Sequence, residues 1–253
     1  MRYFINLSYD GAAYHGWQVQ PNAVSVQQKL NEALSTLLRT PIATVGAGRT
    51  DAGVNAHCMV AHFDFEAPDA HPHDLALLQH KMNRLLPPDI AVNGIRPVRP
   101  DAHARFSATQ RTYIYRVYTR KDPFARSSAA FIPFPLNFDL MNEAAAILLR
   151  TSDFTSFSKL HTDAKTNICR VTKAEWHTAD DGTAYFIIAA DRFLRNMVRA
   201  VVGTLVDVGR GKLSLDGFRA VIAQKDRCSA GDSMPGHALS LVDIQYPTDI
   251  YLS

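Results

Sequence analysis

The sequence predicts an α+β fold built from two lobes. Segments in which apolar and polar residues alternate, as in strands, recur along the whole chain and are separated by amphipathic helical segments. Both halves of the chain mix strands with crossover helices in this way, which is typical of two α+β units. We place the first lobe at residues 1–105 and the second at residues 106–253, with the join at residues 99–106.

In the first half, residues 2–10 alternate, with Tyr3, Ile5, Leu7 and Tyr9 on one face, which predicts a strand. A capping box, Ser25-Val-Gln-Gln28, predicts the start of a helix. The other elements predicted in this half are a short strand ending at Val45, a strand over 59–65, a helix around 75–85 that Pro87-Pro88 stops, and a strand over 90–98.

In the second half, β-branched and aromatic residues over 110–119 predict a strand. A helix over 196–208 is apolar on most sides and carries Arg195 and Arg199 at its start. The other predicted elements are helices over 139–149 and 214–224, and strands over 168–178, 183–191 and 239–246.

Composition is that of an ordinary globular chain, since 47% of the 253 residues are hydrophobic and 20% are charged. No stretch approaches the roughly 20 apolar residues that span a bilayer, and residues 1–6 lack the apolar core of a signal peptide. Three widely separated cysteines make a poor disulfide framework. We therefore expect a cytoplasmic protein with no membrane partner.

Positive charge is concentrated in two parts of the second half, although the formal net charge is only +3. Residues 106–126 hold five basic residues and one acidic residue, and residues 192–212 hold the same numbers. Two such clusters suit a polyanion, because phosphate contacts dominate the affinity of proteins for nucleic acids. Solvated surface charge is the alternative.

The glycine-rich loop Gly46-Ala-Gly-Arg-Thr-Asp-Ala-Gly53 is the segment most suggestive of chemistry. A dinucleotide fingerprint would have its third glycine where this chain has Asp51, and a carboxylate there would repel phosphates. No Gly-Lys-Ser/Thr follows, so the phosphate-loop pattern fails too. The loop does not predict a nucleotide cofactor.

Arg49 and Asp51 stand two residues apart in this loop and would share a face of an extended chain. A neighbouring guanidinium favours the ionised form of a carboxylate, as a nucleophile or a base requires. A plain surface loop, in which Asp51 caps its own backbone, explains the same residues. Spacing alone leaves both interpretations open.

A metal site is a weaker interpretation of the histidines and cysteine at His57, Cys58, His62, His71 and His73. Their spacing fits neither one helix face nor a Cys-x-x-Cys unit, so scattered surface histidines explain them better. The two tryptophans, at positions 17 and 176, are expected to pack in the core rather than to stack on bases.

Six separated motifs resemble the tRNA pseudouridine synthase A family, in the family's order and from end to end of the chain. They are Tyr9-Asp-Gly11 with Gly16-Trp-Gln18, Gln20 and Ser25-Val-Gln27; Gly46-Ala-Gly-Arg-Thr-Asp-Ala-Gly-Val54; Ala104-Arg-Phe-Ser-Ala-Thr109; Arg111-x-Tyr113-x-Tyr115; Asp153-Phe-Thr-Ser-Phe157; and Phe193-Leu-Arg-Asn-Met-Val-Arg199 with Val202-Gly-Thr-Leu205.

The resemblance implies a role for five residues. Asp51 matches the family's catalytic aspartate, and Tyr113 matches the tyrosine that packs on the target base. Arg49 would help to displace the target nucleotide, Arg199 would pair with the aspartate, and Leu239 would line the pocket. The implied fold has two RNA-recognition-like, ferredoxin-like lobes whose largely antiparallel sheets join into one, with the catalytic cleft between the lobes.

The resemblance also implies a homodimer that uses no metal or organic cofactor and acts on the tRNA anticodon stem-loop at uridines 38 to 40; no DNA partner is expected. Two residues depart from the family's pattern: Asn55 stands where histidine is usual, and Ala238 stands where glycine is common. A non-catalytic RNA-binding module is the alternative function, because α+β sheets that bear aromatic residues also bind RNA without chemistry.

Overall fold

The computed structural model describes residues 1–66, 72–159, 165–179 and 182–252, and only the backbone of residues 72–74. The chain forms two compact units, which are described separately below. The first unit contains Met1–Thr109 and Leu241–Ser253, and the second contains Gln110–Ser240.

Nine strands and five α-helices occur within the described part of the chain. The strands are β1 (Arg2–Tyr9), β2 (Val45–Gly46), β3 (Asn55–Asp64), β4 (Ile90–Val98), β5 (Gln110–Tyr118), β6 (Ala130–Phe131), β7 (Val171–Thr178), β8 (Thr183–Ala190) and β9 (Leu239–Gln245). The helices are α1 (Val26–Leu38), α2 (Pro72–Leu85), α3 (Phe138–Leu148), α4 (Met197–Gly209) and α5 (Leu215–Gln224). Among the described residues, none of these helices has both the length and the apolar character needed to cross a membrane.

In the first unit, β1 lies between β3 and β4 and pairs antiparallel with both. Ile5 stands opposite Ala61 on one side and Ile95 on the other, and the predicted strand face is buried, from Tyr3 to Tyr9. The short strand β2 pairs antiparallel with the far side of β3, where Val45 stands opposite His62. This pairing fixes the point at which the glycine-rich loop leaves the sheet.

Helix α1 begins as predicted, because the Ser25 hydroxyl accepts a hydrogen bond from the Gln28 backbone N–H at 3.2 Å. The second half of the capping box does not form, since the Gln28 side chain bonds Glu32 instead. Helix α2 packs against β4, and its Asn83 side chain bonds both backbone polar groups of Val92.

In the second unit, β8 lies between β5 and β7 in an antiparallel arrangement, and β6 pairs parallel with the end of β5. Helix α3 packs against β7 and also contacts α4 and α5. Helix α4 is buried along nearly its whole length, which explains why its sequence is apolar on most sides. The prediction of a mixed α and β fold with mostly antiparallel strands is confirmed.

Two predicted strand boundaries are wrong by several residues. Strand β3 begins at Asn55 rather than at residue 59, because pairing with β1 continues to the Tyr9–Ala56 pair. Strand β7 begins at Val171 rather than at residue 168, since the exposed Ile168 makes only an isolated bridge with Asp153. The two-residue strand β6 has no predicted counterpart, because two residues are too few to show an alternating pattern.

Candidate active site

Asp51 lies in the loop of residues 47–54, called here the Asp51 loop, which connects β2 to β3 in the first unit. The loop leaves the sheet with the Ala47 N–H bonded to the Val60 carbonyl at 2.8 Å. The Val54 N–H donates to the Asp51 carbonyl at 3.2 Å and so closes a turn at the end of the loop. Gly53 has a φ of 75°, which an L side chain rarely adopts. Asp51 is half-buried, and Arg49 in the same loop is exposed.

Residues 9–17 hold the Asp51 loop through main-chain hydrogen bonds. The Trp17 N–H donates to the Thr50 carbonyl, and the Gly53 N–H donates to the Tyr14 carbonyl, both at 3.2 Å. The buried Tyr9 and Thr50 hydroxyls lie 2.9 Å apart and share a hydrogen bond. The residues on both sides of Asp51 are therefore tied to a second segment of backbone.

Glycines allow these two segments to approach closely. Gly16 has a φ of 92°, and a Cβ there would stand 2.3 Å from the Thr50 carbonyl oxygen. A Cβ at Gly11 would stand 2.2 Å from the Val54 carbonyl oxygen. The motif that spans Tyr9 to Gln18 thus has a structural purpose that the sequence did not reveal, which is to position the backbone around Asp51.

Side chains also anchor the same region. The Asn55 amide oxygen accepts a hydrogen bond from the Gly11 N–H at 2.8 Å, so the residue that departs from the family's histidine still bonds this backbone. The Tyr14 hydroxyl donates to Asp89 at 2.6 Å. Burial, together with that carboxylate, raises the pKa of Tyr14 and keeps the hydroxyl protonated as a donor. Trp17 is 2% exposed, which confirms its predicted place in the core.

Tyr113 lies on β5 of the second unit, opposite Ile188 of β8. Its half-buried ring meets Phe193 edge-on, with 5.1 Å between ring centroids and 85° between planes. An edge-to-face contact restricts how the tyrosine ring can turn. Phe193 belongs to the motif that precedes α4, so the sequence signal for this neighbour was present although its role was not predicted.

Arg199 lies in the first turn of α4, and its Nε donates to the Met234 carbonyl. The Met234 N–H donates back to the Arg199 carbonyl at 3.2 Å. Residues 230–236, called here the 230–236 segment, are therefore fastened to the start of α4. The segment leads directly to Leu239, which is buried at the start of β9 beside the fully buried Ala238.

Further side chains brace the 230–236 segment. The Ser233 hydroxyl bonds both Asn196 and Arg227, the latter at 2.8 Å from guanidinium nitrogen to oxygen. The Tyr115 hydroxyl donates to the Pro235 carbonyl at 3.0 Å. Burial raises the pKa of Tyr115, which keeps this hydroxyl protonated as a donor. None of these bracing residues was predicted from the sequence.

The structure thus places the five predicted site residues in two groups. Arg49 and Asp51 share one loop of the first unit. Tyr113, Arg199 and Leu239 belong to the second unit, where Tyr115 of β5 and Arg199 of α4 both bond the segment that leads to Leu239.

The histidine and cysteine residues weighed as metal ligands are not gathered into a site within the part of the chain that the structure describes. His71 and the side chain of His73 lie outside that part. His62 is buried, and its Nδ1 accepts a hydrogen bond from the Ala104 N–H at 3.1 Å. Burial and the nearby Arg2 cation lower the pKa of His62 to about 4, so the ring is neutral at neutral pH and can accept this bond.

Comparison with known proteins gives a consistent result. The family model described as tRNA pseudouridine synthase matches residues 144–247. The tRNA pseudouridine synthase A of Parabacteroides distasonis is 59% identical over 250 residues, which cover 99% of this chain and 98% of that protein. That of Porphyromonas gingivalis is 55% identical and covers 99% of both chains, and that of Bacillus subtilis is 40% identical over 97% of this chain and 99% of that protein. The chain belongs to the tRNA pseudouridine synthase A family, whose members are isomerases.

Proposed function

We propose that this chain isomerises uridine to pseudouridine in the tRNA anticodon stem-loop, at positions 38 to 40, with Asp51 as the catalytic carboxylate. The observation that carries the proposal is the set of main-chain hydrogen bonds that holds the backbone on both sides of Asp51, called here the backbone brace. Thr50 and Gly53 are each tied by main-chain hydrogen bonds to residues 14–17. A carboxylate whose backbone is immobilised in this way is pre-organised to meet a reacting sugar.

The reaction moves the uracil on the same ribose. In one route, an Asp51 oxygen attacks C1′ of the ribose, the C1′–N1 bond breaks, and the uracil leaves with the electron pair. In the other route, Asp51 removes the proton from C2′ and the uracil leaves to give a glycal. C5 of the turned uracil then bonds to C1′: in the first route the Asp51–C1′ bond breaks and the carboxylate leaves, and in the second route Asp51 returns the proton to C2′. In both routes the C5 proton is finally removed and N1 is protonated. Reactant and product are isomers, so no co-reactant is consumed.

Tyr113 would stack on the uracil and keep it in place while it is detached. Stacking of a base on an aromatic ring contributes about 1–3 kcal/mol in comparable sites, which offsets part of the few kcal/mol needed to extrude a base. The edge contact with Phe193 supports this role, because it holds the tyrosine ring in a defined orientation. The Tyr113 hydroxyl is our candidate for the base that removes the C5 proton.

The two arginines, Arg49 and Arg199, would act through their positive charges. Arg49 is exposed in the Asp51 loop, as a residue that reaches the RNA and displaces the target nucleotide should be. Arg199 would pair with Asp51, and the pairing would offset the cost of burying a lone charge near the start of α4. Leu239 is buried and would give the pocket an apolar wall that excludes water from the detached uracil.

The remaining features of the proposal follow the family resemblance. We propose a cytoplasmic homodimer that works without a metal or an organic cofactor and holds tRNA in a cleft between two lobes. The two clusters of basic residues, at 106–126 and 192–212, are candidates for contacts with phosphate. A non-catalytic RNA-binding module is the competing function, and it requires no role for Asp51.

Replacing Asp51 with asparagine tests the proposal. Asp51→Asn keeps the shape of the side chain but removes its charge, so pseudouridine formation should fall below detection while tRNA binding and thermal stability stay near those of the wild type. The assay is release of tritium from C5-labelled uridine in an anticodon stem-loop RNA. Asp101→Asn, at an exposed carboxylate paired with Arg99, is the matched control and should retain full activity.

The wild-type protein distinguishes the two candidate functions in the same assay. Tritium release supports the synthase, whereas RNA binding without release supports the non-catalytic module. Turnover by Asp51→Asn at more than a trace of the wild-type rate would show that another residue performs the chemistry.

A further inference from the structure

Phe106 is the most exposed apolar side chain of the first unit among the described residues, with 77% of its surface accessible. It belongs to the motif Ala104-Arg-Phe-Ser-Ala-Thr109, to which the proposed chemistry assigns no role. Exposure of a large aromatic ring is unfavourable in water, since roughly 25 cal/mol is lost for each Å² of apolar surface left unburied. A ring presented in this way calls for an explanation.

The turn that carries Phe106 is held by its own hydrogen bonds. The His103 N–H donates to the Ser107 hydroxyl at 3.0 Å, and the Ser107 N–H donates to the His103 carbonyl at 2.9 Å. Nδ1 of His103 accepts from the N–H groups of Arg105 and Phe106, at 3.1 and 3.3 Å. The backbone of Phe106 is therefore fixed from both sides.

The same turn is anchored in the core of the first unit. Ala104 is fully buried; its N–H donates to His62, and its carbonyl accepts from the Tyr246 hydroxyl at 2.6 Å. The His103 ring packs against His62, with 4.6 Å between ring centroids. The exposed ring thus stands on a rigid support, not on a loose loop.

The surroundings of the Phe106 ring suit a nucleic-acid base. On one side lies the His103 ring, with 4.4 Å between centroids and 38° between planes. The Arg105 guanidinium carbon lies 5.6 Å from the centre of the Phe106 ring. An aromatic ring beside an arginine is the combination that binds unpaired nucleotides, because the ring stacks on a base and the cation attracts the phosphate.

We propose that Phe106 is a stacking platform for an unpaired nucleotide of the tRNA substrate, at a place separate from the reacting uridine. His62, which bonds this turn, lies seven residues along β3 from Asn55, where the Asp51 loop ends. The Asp51 loop begins beside His62, since Val45 stands opposite it, but the residues that flank Asp51 are bonded to residues 14–17, beyond the Tyr9 end of β1. His62 instead pairs with Phe4, near the other end of β1, so a different nucleotide from the one at Asp51 would occupy Phe106. The inference rests on the proposed action on tRNA and adds a second contact that positions the RNA.

The test compares substitutions at Phe106 in the full-length protein, with an anticodon stem-loop RNA as the probe. Phe106→Ala and Phe106→Leu should both weaken RNA binding by roughly tenfold, whereas Phe106→Trp should bind at least as tightly as the wild type. Leucine retains apolar surface but cannot stack, so its failure to rescue binding separates stacking from simple burial. Leu77→Ala, at an exposed apolar side chain of α2, is the control and should leave binding unchanged.

Two further measurements, the salt dependence of RNA binding and the rate of tritium release, make the result specific to stacking. The slope of log affinity against log salt should be unchanged in Phe106→Ala, because the ring neutralises no phosphate. Tritium release at saturating RNA should also be unchanged, so the effect appears in KM and not in kcat. Because the ring is exposed, the variant should melt at the wild-type temperature.

The inference can fail independently of the proposed reaction. Wild-type affinity in Phe106→Ala would overturn it even if tritium release proves the chemistry. Normal RNA affinity with a changed particle mass in light scattering would instead assign the ring to a contact between copies of the chain. Absence of tritium release from the wild type would overturn the proposed reaction, while the binding series would still report on Phe106.

Discussion

The Asp51 loop and the 230–236 segment are both braced, but by different parts of the chain. Around Asp51, the hydrogen bonds join main-chain groups: Trp17 bonds Thr50, and Gly53 bonds Tyr14. Glycines permit the close approach of the two main chains. Around the 230–236 segment, most of the bonds come from side chains, among them those of Ser233, Arg227 and Tyr115. The two groups of candidate residues are therefore positioned by two different kinds of interaction.

The two kinds of brace should respond differently to amino-acid substitutions. A backbone brace is insensitive to most side-chain changes, but it cannot accommodate a new Cβ where two main chains touch. A brace of side chains loses one hydrogen bond at a time, and each loss costs only about 1 kcal/mol in typical cases. Glycine substitutions should therefore damage the first brace severely, and removal of single hydroxyls should damage the second one mildly.

Gly16→Ala should have the largest effect. Its Cβ would stand 2.3 Å from the Thr50 carbonyl oxygen, and the φ of 92° is strained for alanine. We expect a loss of roughly 3 kcal/mol in the free energy of unfolding. Turnover should fall by about 100-fold, since displacing a catalytic group by about 1 Å has an effect of that size. Urea denaturation and tritium release at saturating RNA measure the two quantities.

Gly48→Ala is the matched control for stability, because a Cβ at this position in the same loop meets no atom within 4 Å. Its free energy of unfolding should stay within about 0.5 kcal/mol of the wild type. Equal stability of the Gly16 and Gly48 variants would show that the close approach does not hold the Asp51 loop.

Ser233→Ala should have an intermediate effect. The change removes the shared partner of Asn196 and Arg227 and should lower the free energy of unfolding by about 1–2 kcal/mol. Turnover should fall less than in Gly16→Ala, since Arg199 and Tyr115 still hold the segment. Ser233→Thr keeps a hydroxyl and should recover most of the loss; a threonine variant as unstable as the alanine variant would contradict the hydrogen-bonding role. Thermal melts followed by circular dichroism provide the comparison.

Much of the fold could be predicted from local patterns. The buried face of β1, the Ser25 cap and the apolar helix α4 all follow from residues that are close in sequence. The return of Leu241–Ser253 to the first unit could not be predicted, because it depends on contacts between distant parts of the chain. Strand β6 could not be predicted because its two residues are too few to show a periodicity.

The candidate site was harder to predict from the sequence than the fold. The family resemblance drew attention to Asp51 and Tyr113, and spacing alone left a plain surface loop as an alternative. The brace around Asp51 depends on which carbonyl each glycine faces, and the Ser233 contacts join residues 6 and 37 positions apart. Such pairs follow no periodicity, so their roles became visible only in three dimensions.

Substitutions at Asn55 should have the smallest effect, because its bond to the Gly11 N–H supplements a brace that is otherwise made by backbone groups. Asn55→Ala leaves the part-buried Gly11 N–H without its acceptor and should cost about 1 kcal/mol of unfolding free energy.

Asn55→His, which restores the residue usual in the family, should stay within about 0.5 kcal/mol of the wild type at pH 8, because a neutral imidazole nitrogen can accept the same bond. Protonation removes that lone pair, so the histidine variant should lose stability relative to the wild type as the pH falls below about 6.5, the ordinary pKa of histidine. Chemical denaturation of the three proteins at pH 8 and pH 5.5 measures both effects. A histidine variant that is less stable than the alanine variant at pH 8 would mean that the imidazole does not fit beside Gly11, and that the asparagine is required by the shape of this chain's loop and not only by its hydrogen bond.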